Sequence, residues 1–202
     1  MLRTLSAVAL LGISATTAQA PPQGVPPGGT FLTSPEGIAR YRRAAAVASD
    51  SSAMLMASFA TQQTQSYCGV ASSIVVLNAL GATPAPAMHE YTYWTQDDVF
   101  AYLGLPSTFG AAGLSLTEMA VLIQQRLPAT PKYAAEDGLT AADFRADVIA
   151  ATTIAGNSTS TAIISNFDRQ IVNQAGGGHH SPIGLYDKIT DSILLLDVAR
   201  YK

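Results

Sequence analysis

Cysteine occurs once in this 202-residue sequence, at Cys68, so no intramolecular disulfide can form. Charge is also scarce. Only 12% of residues are charged, and the 14 acidic side chains outnumber the 11 basic ones for a net charge of -3. That leaves no basic surface for neutralising phosphates and excludes nucleic acid as a partner. No segment approaches the ~20 unbroken apolar residues of a membrane-spanning helix. With one thiol and three histidines, the chain has no thiolate cluster of its own for soft metals. Internal repeats are absent. What is present is 48% hydrophobic content, enough for a single core in a single domain.

The N-terminus has a basic Arg3, an apolar run from Leu5 to Ala15 and small residues at Ala18 and Ala20, the three regions of a secretory signal peptide. Residues 1–20 are therefore expected to direct export, to a periplasmic location, although Pro21 disfavours cleavage at that point. Residues 21–30, rich in proline and glycine, form a linker. The folded domain spans 31–202. Helical content is expected from Ser34 to about Met56, interrupted around Asp50-Ser51-Ser52. Capping patterns at Thr95-x-x-Asp98, Ser115-x-x-Glu118 and Thr140-x-x-Asp143 predict helices over 95–103, 115–127 and 140–152. Thr161–Phe167 has strand character, and 179–186 with 192–198 form a hairpin about a turn at Asp187–Asp191. Helices first and strands last imply an α+β fold.

A lone cysteine is most often a small buried hydrophobe. The setting of Cys68 argues otherwise. It stands where the polar stretch Gln62-Gln-Thr-Gln-Ser-Tyr67 gives way to an apolar helical run, at a helix N-terminus. Exposed backbone N–H groups and the helix dipole lower a thiol pKa there and favour a reactive thiolate. Gln62, six residues upstream, can fold back so that its amide and the Cys68 N–H face one oxyanion. Gln63 and Gln65 compete for that role.

His89 lies beside Glu90 in a polar stretch and has surface character, while His179 and His180 begin the hairpin. Pairing Tyr186 with Ser192 places Asp197 opposite Ser181. Side chains alternate along a strand, so His179, Ser181, Ile183 and Leu185 share a face with Ile193, Leu195, Asp197 and Ala199. His180 points the other way. His179 and Asp197 become diagonal neighbours about 7–8 Å apart at the backbone, close enough for imidazole and carboxylate to meet. A bulge at Pro182 would shift the register and reverse the choice. Asp197 directly follows Ile-Leu-Leu-Leu, where an unpaired carboxylate would be costly, and His179 removes that cost.

Three blocks in order, Gln62-x5-Cys68-Gly69-x-Ala71-Ser72, Gly178-His179-x-Ser181-Pro182-Ile183-Gly184 and Leu196-Asp197-Val198-Ala199-Arg200-Tyr201-Lys202, resemble the catalytic domain of phytochelatin synthases, glutathione γ-glutamylcysteinyltransferases of the papain-like superfamily. The resemblance runs from about Thr30 to the last residue. It implies a papain-like fold, a triad of Cys68, His179 and Asp197, and Gln62 as oxyanion donor. It implies glutathione as partner, a γ-glutamylcysteinyl thioester on Cys68, and substrate contacts from Gly69, Asn166 and Arg169, with Arg169 offering a fork to an α-carboxylate. It allows a homodimer. It implies no cofactor held by the protein, cadmium or zinc entering as a metal-glutathione thiolate, and glycine release as the stronger activity. Plant members add a cysteine-rich domain, and the sequence here stops at Lys202, ahead of the proline- and tryptophan-containing continuation usual in that family. At position 180 the eukaryotic members have an aromatic residue. Two rival readings are an exported cysteine peptidase and a non-catalytic thiol- or metal-binding protein. Adjacent His179 and His180 on a strand face opposite ways, which weakens a shared metal site.

Overall fold

Serine and threonine caps set the helix starts in the computed structural model, which describes residues 25, 28–82, 92–97, 99–104, 106, 112–156 and 160–199. The leader over residues 1–20, most of the 21–30 linker, His89, Asp98 and the Arg200–Lys202 end of the last motif lie outside the described residues. Ser34 caps α1 (Pro35–Ala45) by accepting from the Gly37 N–H, with Pro35 in the first turn. Ser49 likewise caps α2 (Asp50–Ala57), accepting from the Ser52 N–H at 3.2 Å. The helical stretch expected over 34–56 is thus two helices. Its break precedes Ser49, and Asp50–Ser52 is the first turn of the second helix.

The central helix α3 (Cys68–Ala79) buries eleven of its twelve residues, because apolar side chains lie all round it and its buried serines bond to main-chain carbonyls. Val70, Ile74 and Leu77 pack on one side against Trp94, Val99, Phe100, Leu114, Met119, Leu122 and Ile123, while Val75, Val76 and Ala79 meet Leu55 of α2 on another. Asn78 clamps Trp94 by donating to its carbonyl at 3.0 Å and accepting from its N–H at 2.7 Å. α4 (Val99–Leu103) is shorter than expected. Both remaining capping boxes form: Ser115 with Glu118 opens α5 (Leu116–Gln124), and Thr140 with Asp143 opens α6 (Ala141–Thr152).

The strands β1 (Ile164–Asp168), β2 (Gly178–Asp187) and β3 (Ser192–Leu195) form an antiparallel sheet in the order β1-β2-β3, and β2 packs on α3. The fold is α+β. Near the hairpin turn the pairing differs by one from expectation: Asp187, not Tyr186, lies opposite Ser192. Asp187 belongs to the strand because its carboxylate is buried, taking Arg43 Nη2 at 2.6 Å and Thr190 Oγ1 at 2.7 Å. The register then shifts between Ile183 and Leu185, and Ile183 faces Leu195, the pairing expected from the sequence. The bulge therefore sits at Gly184 rather than Pro182. Leu196 crowds that position: a Cβ on Gly184 would come within 3.1 Å of its side chain. Pro182 keeps its place in the strand because the neighbouring segment uses its carbonyl, which accepts from Leu196 N–H at 2.9 Å. One shift offsets the other, and Asp197 stays on the His179 side.

Candidate active site

Cys68 is the first residue of α3, preceded by Tyr67, which makes no side-chain cap bond. No capping side chain therefore competes for the N–H groups at the head of the helix. Ala71 and Val198 pack around the thiol. Ser72, one turn on, donates from Oγ to the His180 carbonyl at 3.1 Å, which ties the start of α3 to β2.

His179 of β2 is buried, with Nε2 at 2.8 Å from Asp197 Oδ1 and 2.9 Å from Ser181 Oγ. The same imidazole is coupled to the Cys68 thiol, each group shifting the other's pKa. Since Nε2 is taken by Asp197, Nδ1 is the nitrogen left for the sulfur. Phe167, opposite His179 on β1, packs edge-on against the ring at 5.5 Å and 82°. His179 and Asp197 are thus joined directly, and with Cys68 they make one electrostatically coupled group. Gln62 is buried beside it, its N–H donating to Val198 O at 2.8 Å and its Nε2 to Thr64 O at 2.7 Å. Gln63 and Gln65 are exposed, and Gln63 is turned to Gln96 and Asp97.

The electrostatics follow from these contacts. Burial pushes the Cys68 thiol up, but the His179 hydrogen bond and charge, with the main-chain amides of His180 and Gly69, outweigh it and hold the thiol below its ordinary value. Burial pushes His179 down, and the hydrogen bonds to Asp197 and Cys68 with the Asp197 charge bring it above its ordinary value against Arg169. Burial likewise opposes the charge on Asp197, yet its hydrogen bonds to His179, Arg169 and Ala199 hold the carboxyl well below the usual range. A lowered thiol and a raised imidazole widen the pH window of the thiolate–imidazolium pair. The alkylation rate of Cys68 by iodoacetamide is therefore expected to rise with pH through a midpoint below the ordinary ~8.5 of a free thiol. In His179→Ala the midpoint moves up, because burial of the sulfur remains and its strongest opposing contact is gone.

The structure gives two expected substrate contacts other partners. Arg169 lies in the 3₁₀ turn after β1 and is 4% exposed. Its fork closes on Asp197, with Nη2 at 3.0 Å from Oδ1 and Nη1 at 3.2 Å from Oδ2, and Nη1 also donates to Gln174. A carboxylate supplied by the fold occupies the geometry expected for a substrate carboxylate. Asn166 pairs with His180 in the β1–β2 ladder, so its side chain lies on the face opposite His179, with Nδ2 at 3.0 and 3.2 Å from the His180 ring nitrogens. Gly69 is buried under Leu114: a Cβ there would lie 3.0 Å from Leu114 Cβ. Two contributors escaped the sequence analysis. Ser181, two residues from His179 on the same strand face, was legible as a neighbour; Leu114, 46 positions from Cys68, carried no local signal. Among the described residues no cluster of three or more His, Cys, Asp or Glu is arranged to hold a metal ion. No helix among them is long and apolar enough to cross a membrane.

Comparison with known proteins adds the chemistry of relatives. A family model described as phytochelatin synthase matches residues 22–202. Glutathione gamma-glutamylcysteinyltransferase 1 of Arabidopsis thaliana is 32% identical over 148 residues, 73% of this chain and 30% of that protein. The enzyme of the same name from Triticum aestivum is 32% identical over 73% of this chain and 29% of its own length. Glutathione gamma-glutamylcysteinyltransferase of Schizosaccharomyces pombe is 28% identical over 142 residues, 70% of this chain and 33% of that protein. The chain spans about a third of the length of these relatives.

Proposed function

Because this chain belongs to the phytochelatin synthase family, we propose that it is a papain-like cysteine acyltransferase that attacks glutathione through Cys68 and forms a γ-glutamylcysteinyl thioester. The observation that carries this reading is the buried imidazole of His179, hydrogen-bonded to Asp197 at 2.8 Å and electrostatically coupled to the Cys68 thiol, which it lowers. A pre-formed thiolate needs no base for its first attack. Its lone pair adds to the carbonyl carbon of the Cys–Gly bond of glutathione. The resulting oxyanion is met by the Cys68 main-chain N–H and, once its side chain turns from Thr64, by the Gln62 amide. The intermediate collapses as His179 gives its proton to the glycine nitrogen, and glycine leaves. His179, now neutral, removes a proton from water or from the α-amine of a second glutathione, which takes the acyl group. Asp197 holds the ring so that one nitrogen faces the sulfur in both half-reactions.

Cadmium or zinc enters this scheme as part of a metal-glutathione thiolate substrate, and residues 1–20 act as an export leader. The test is incubation of the purified protein with glutathione, with and without cadmium, scoring free glycine and γ-glutamylcysteine oligomers against an unstructured peptide control. Glycine release from glutathione, with a γ-glutamylcysteinyl mass increment trapped on Cys68, is the expected result. Cleavage of the peptide alone would assign a peptidase instead, and no product with an unmodified Cys68 would reject both.

A further inference from the structure

His180 takes no part in the steps above, yet its polar ring is only 2% exposed. A buried imidazole needs a partner for each nitrogen. Nε2 lies 2.9 Å from the Leu114 carbonyl, and Asn166 Nδ2 sits over the other side of the ring, 3.2 Å from Nδ1 and 3.0 Å from Nε2. The Leu114 carbonyl can only accept, so it fixes the proton on Nε2, and the Asn166 amide, which can only donate, is left to the unprotonated Nδ1. Burial, with the neighbouring His179, holds His180 below its ordinary value and keeps the ring neutral against the Leu114 carbonyl.

The main chain of the same residue meets the nucleophile. Its main-chain N–H is one of the groups that lower the Cys68 thiol, and its carbonyl accepts from Ser72 Oγ at 3.1 Å. Leu114, held by the ring, rests closely on Gly69, where a Cβ would meet the Leu114 Cβ at 3.0 Å. Gly69 supplies the second main-chain amide to the sulfur.

We propose that His180 is a positioning residue for the nucleophile: its neutral imidazole ties the Leu114 carbonyl to β2, seats the Leu114 side chain on Gly69, and so keeps the amides of Gly69 and His180 on the Cys68 sulfur. The consequence for turnover rests on the thioester reading above; the alignment of the sulfur does not. Strand alternation alone says only that this side chain points away from His179. The contacts of the ring make it the link between three segments.

Iodoacetamide alkylation of Cys68, followed by intact mass across pH, tests the link without any substrate. His179, backed by Asp197 and Arg169, is the titrating group that faces the sulfur, and the variants leave all three in place. His180→Phe keeps a ring but loses the donor to Leu114, and the alkylation rate at neutral pH is expected to fall about tenfold with an upward-moved midpoint. His180→Gln, which can still donate to the Leu114 carbonyl, is expected to recover most of that loss. Asn166→Ala, at an exposed position, frees the tautomer and is expected to slow alkylation about threefold. Wild-type rate and midpoint in folded His180→Phe would overturn the proposal, as would a fall in His180→Gln as deep as in His180→Phe. If His180→Phe does not fold, wild-type alkylation in Asn166→Ala overturns it instead. Glycine release measured in parallel separates the two readings: wild-type protein that alkylates with a lowered midpoint but releases no glycine refutes the reaction and leaves the role of His180 standing.

Discussion

Cys68→Ser is expected to lower glycine release from glutathione by on the order of 10⁴-fold or more, with the fold intact. A serine hydroxyl has no accessible anion at neutral pH, and the contacts that lower the Cys68 thiol cannot bring an alkoxide into range. His179→Ala should fall by a comparable factor. Without the imidazole, the buried sulfur loses its largest stabilising contact and the departing glycine loses its proton donor. The double variant should be no slower than either single one, because the two side chains act as one unit. Initial rates of glycine formation measure all three. Additive losses in the double variant would mean that the sulfur and the ring act separately.

Asp197→Ala carries the second large effect, and it is a loss of stability as well as of activity. Arg169 has 5% of its side chain exposed and Asp197 26%, so removing the carboxylate strands a guanidinium away from water. Breaking such a pair typically costs about 3 kcal/mol. Urea unfolding of Asp197→Ala should show that loss, and the paired change Asp197→Leu with Arg169→Met should recover most of it without restoring turnover. The pH dependence has a defined sign. The Asp197 carboxyl is held well below the usual range, so its contribution to stability is complete above the ordinary carboxylate value and is lost as pH falls toward the folded one. In the paired variant this acid-labile component should shrink. Unchanged stability in Asp197→Ala would show that Arg169 reaches water or another partner.

The helix starts at Ser115 and Thr140 and the placement of Cys68 at the head of α3 were legible because each depends on residues within one turn of chain. The face shared by His179 and Asp197 was legible only through two offsetting shifts. The turn is one residue tighter than its polar composition suggests, since Asp187 is drawn into the strand by Arg43, 144 positions away. The bulge at Gly184 returns the register. Strand alternation read without the bulge and with the correct turn would have placed Asp197 on the side of His180.

By itself, then, the sequence determined which atoms are available for chemistry: one thiol, a histidine pair in a strand, and a carboxylate at the end of an apolar run. It also determined where the nucleophilic helix begins, because periodicity and capping act over a few residues. Only the tertiary structure decided that the Arg169 fork takes Asp197, that Asn166 turns to His180, and that Leu114 lies on Gly69. Those contacts join segments 14 to 45 positions apart. Their choice depends on register and on which polar group is left unsatisfied once the core has closed, quantities that no local stretch of chain contains.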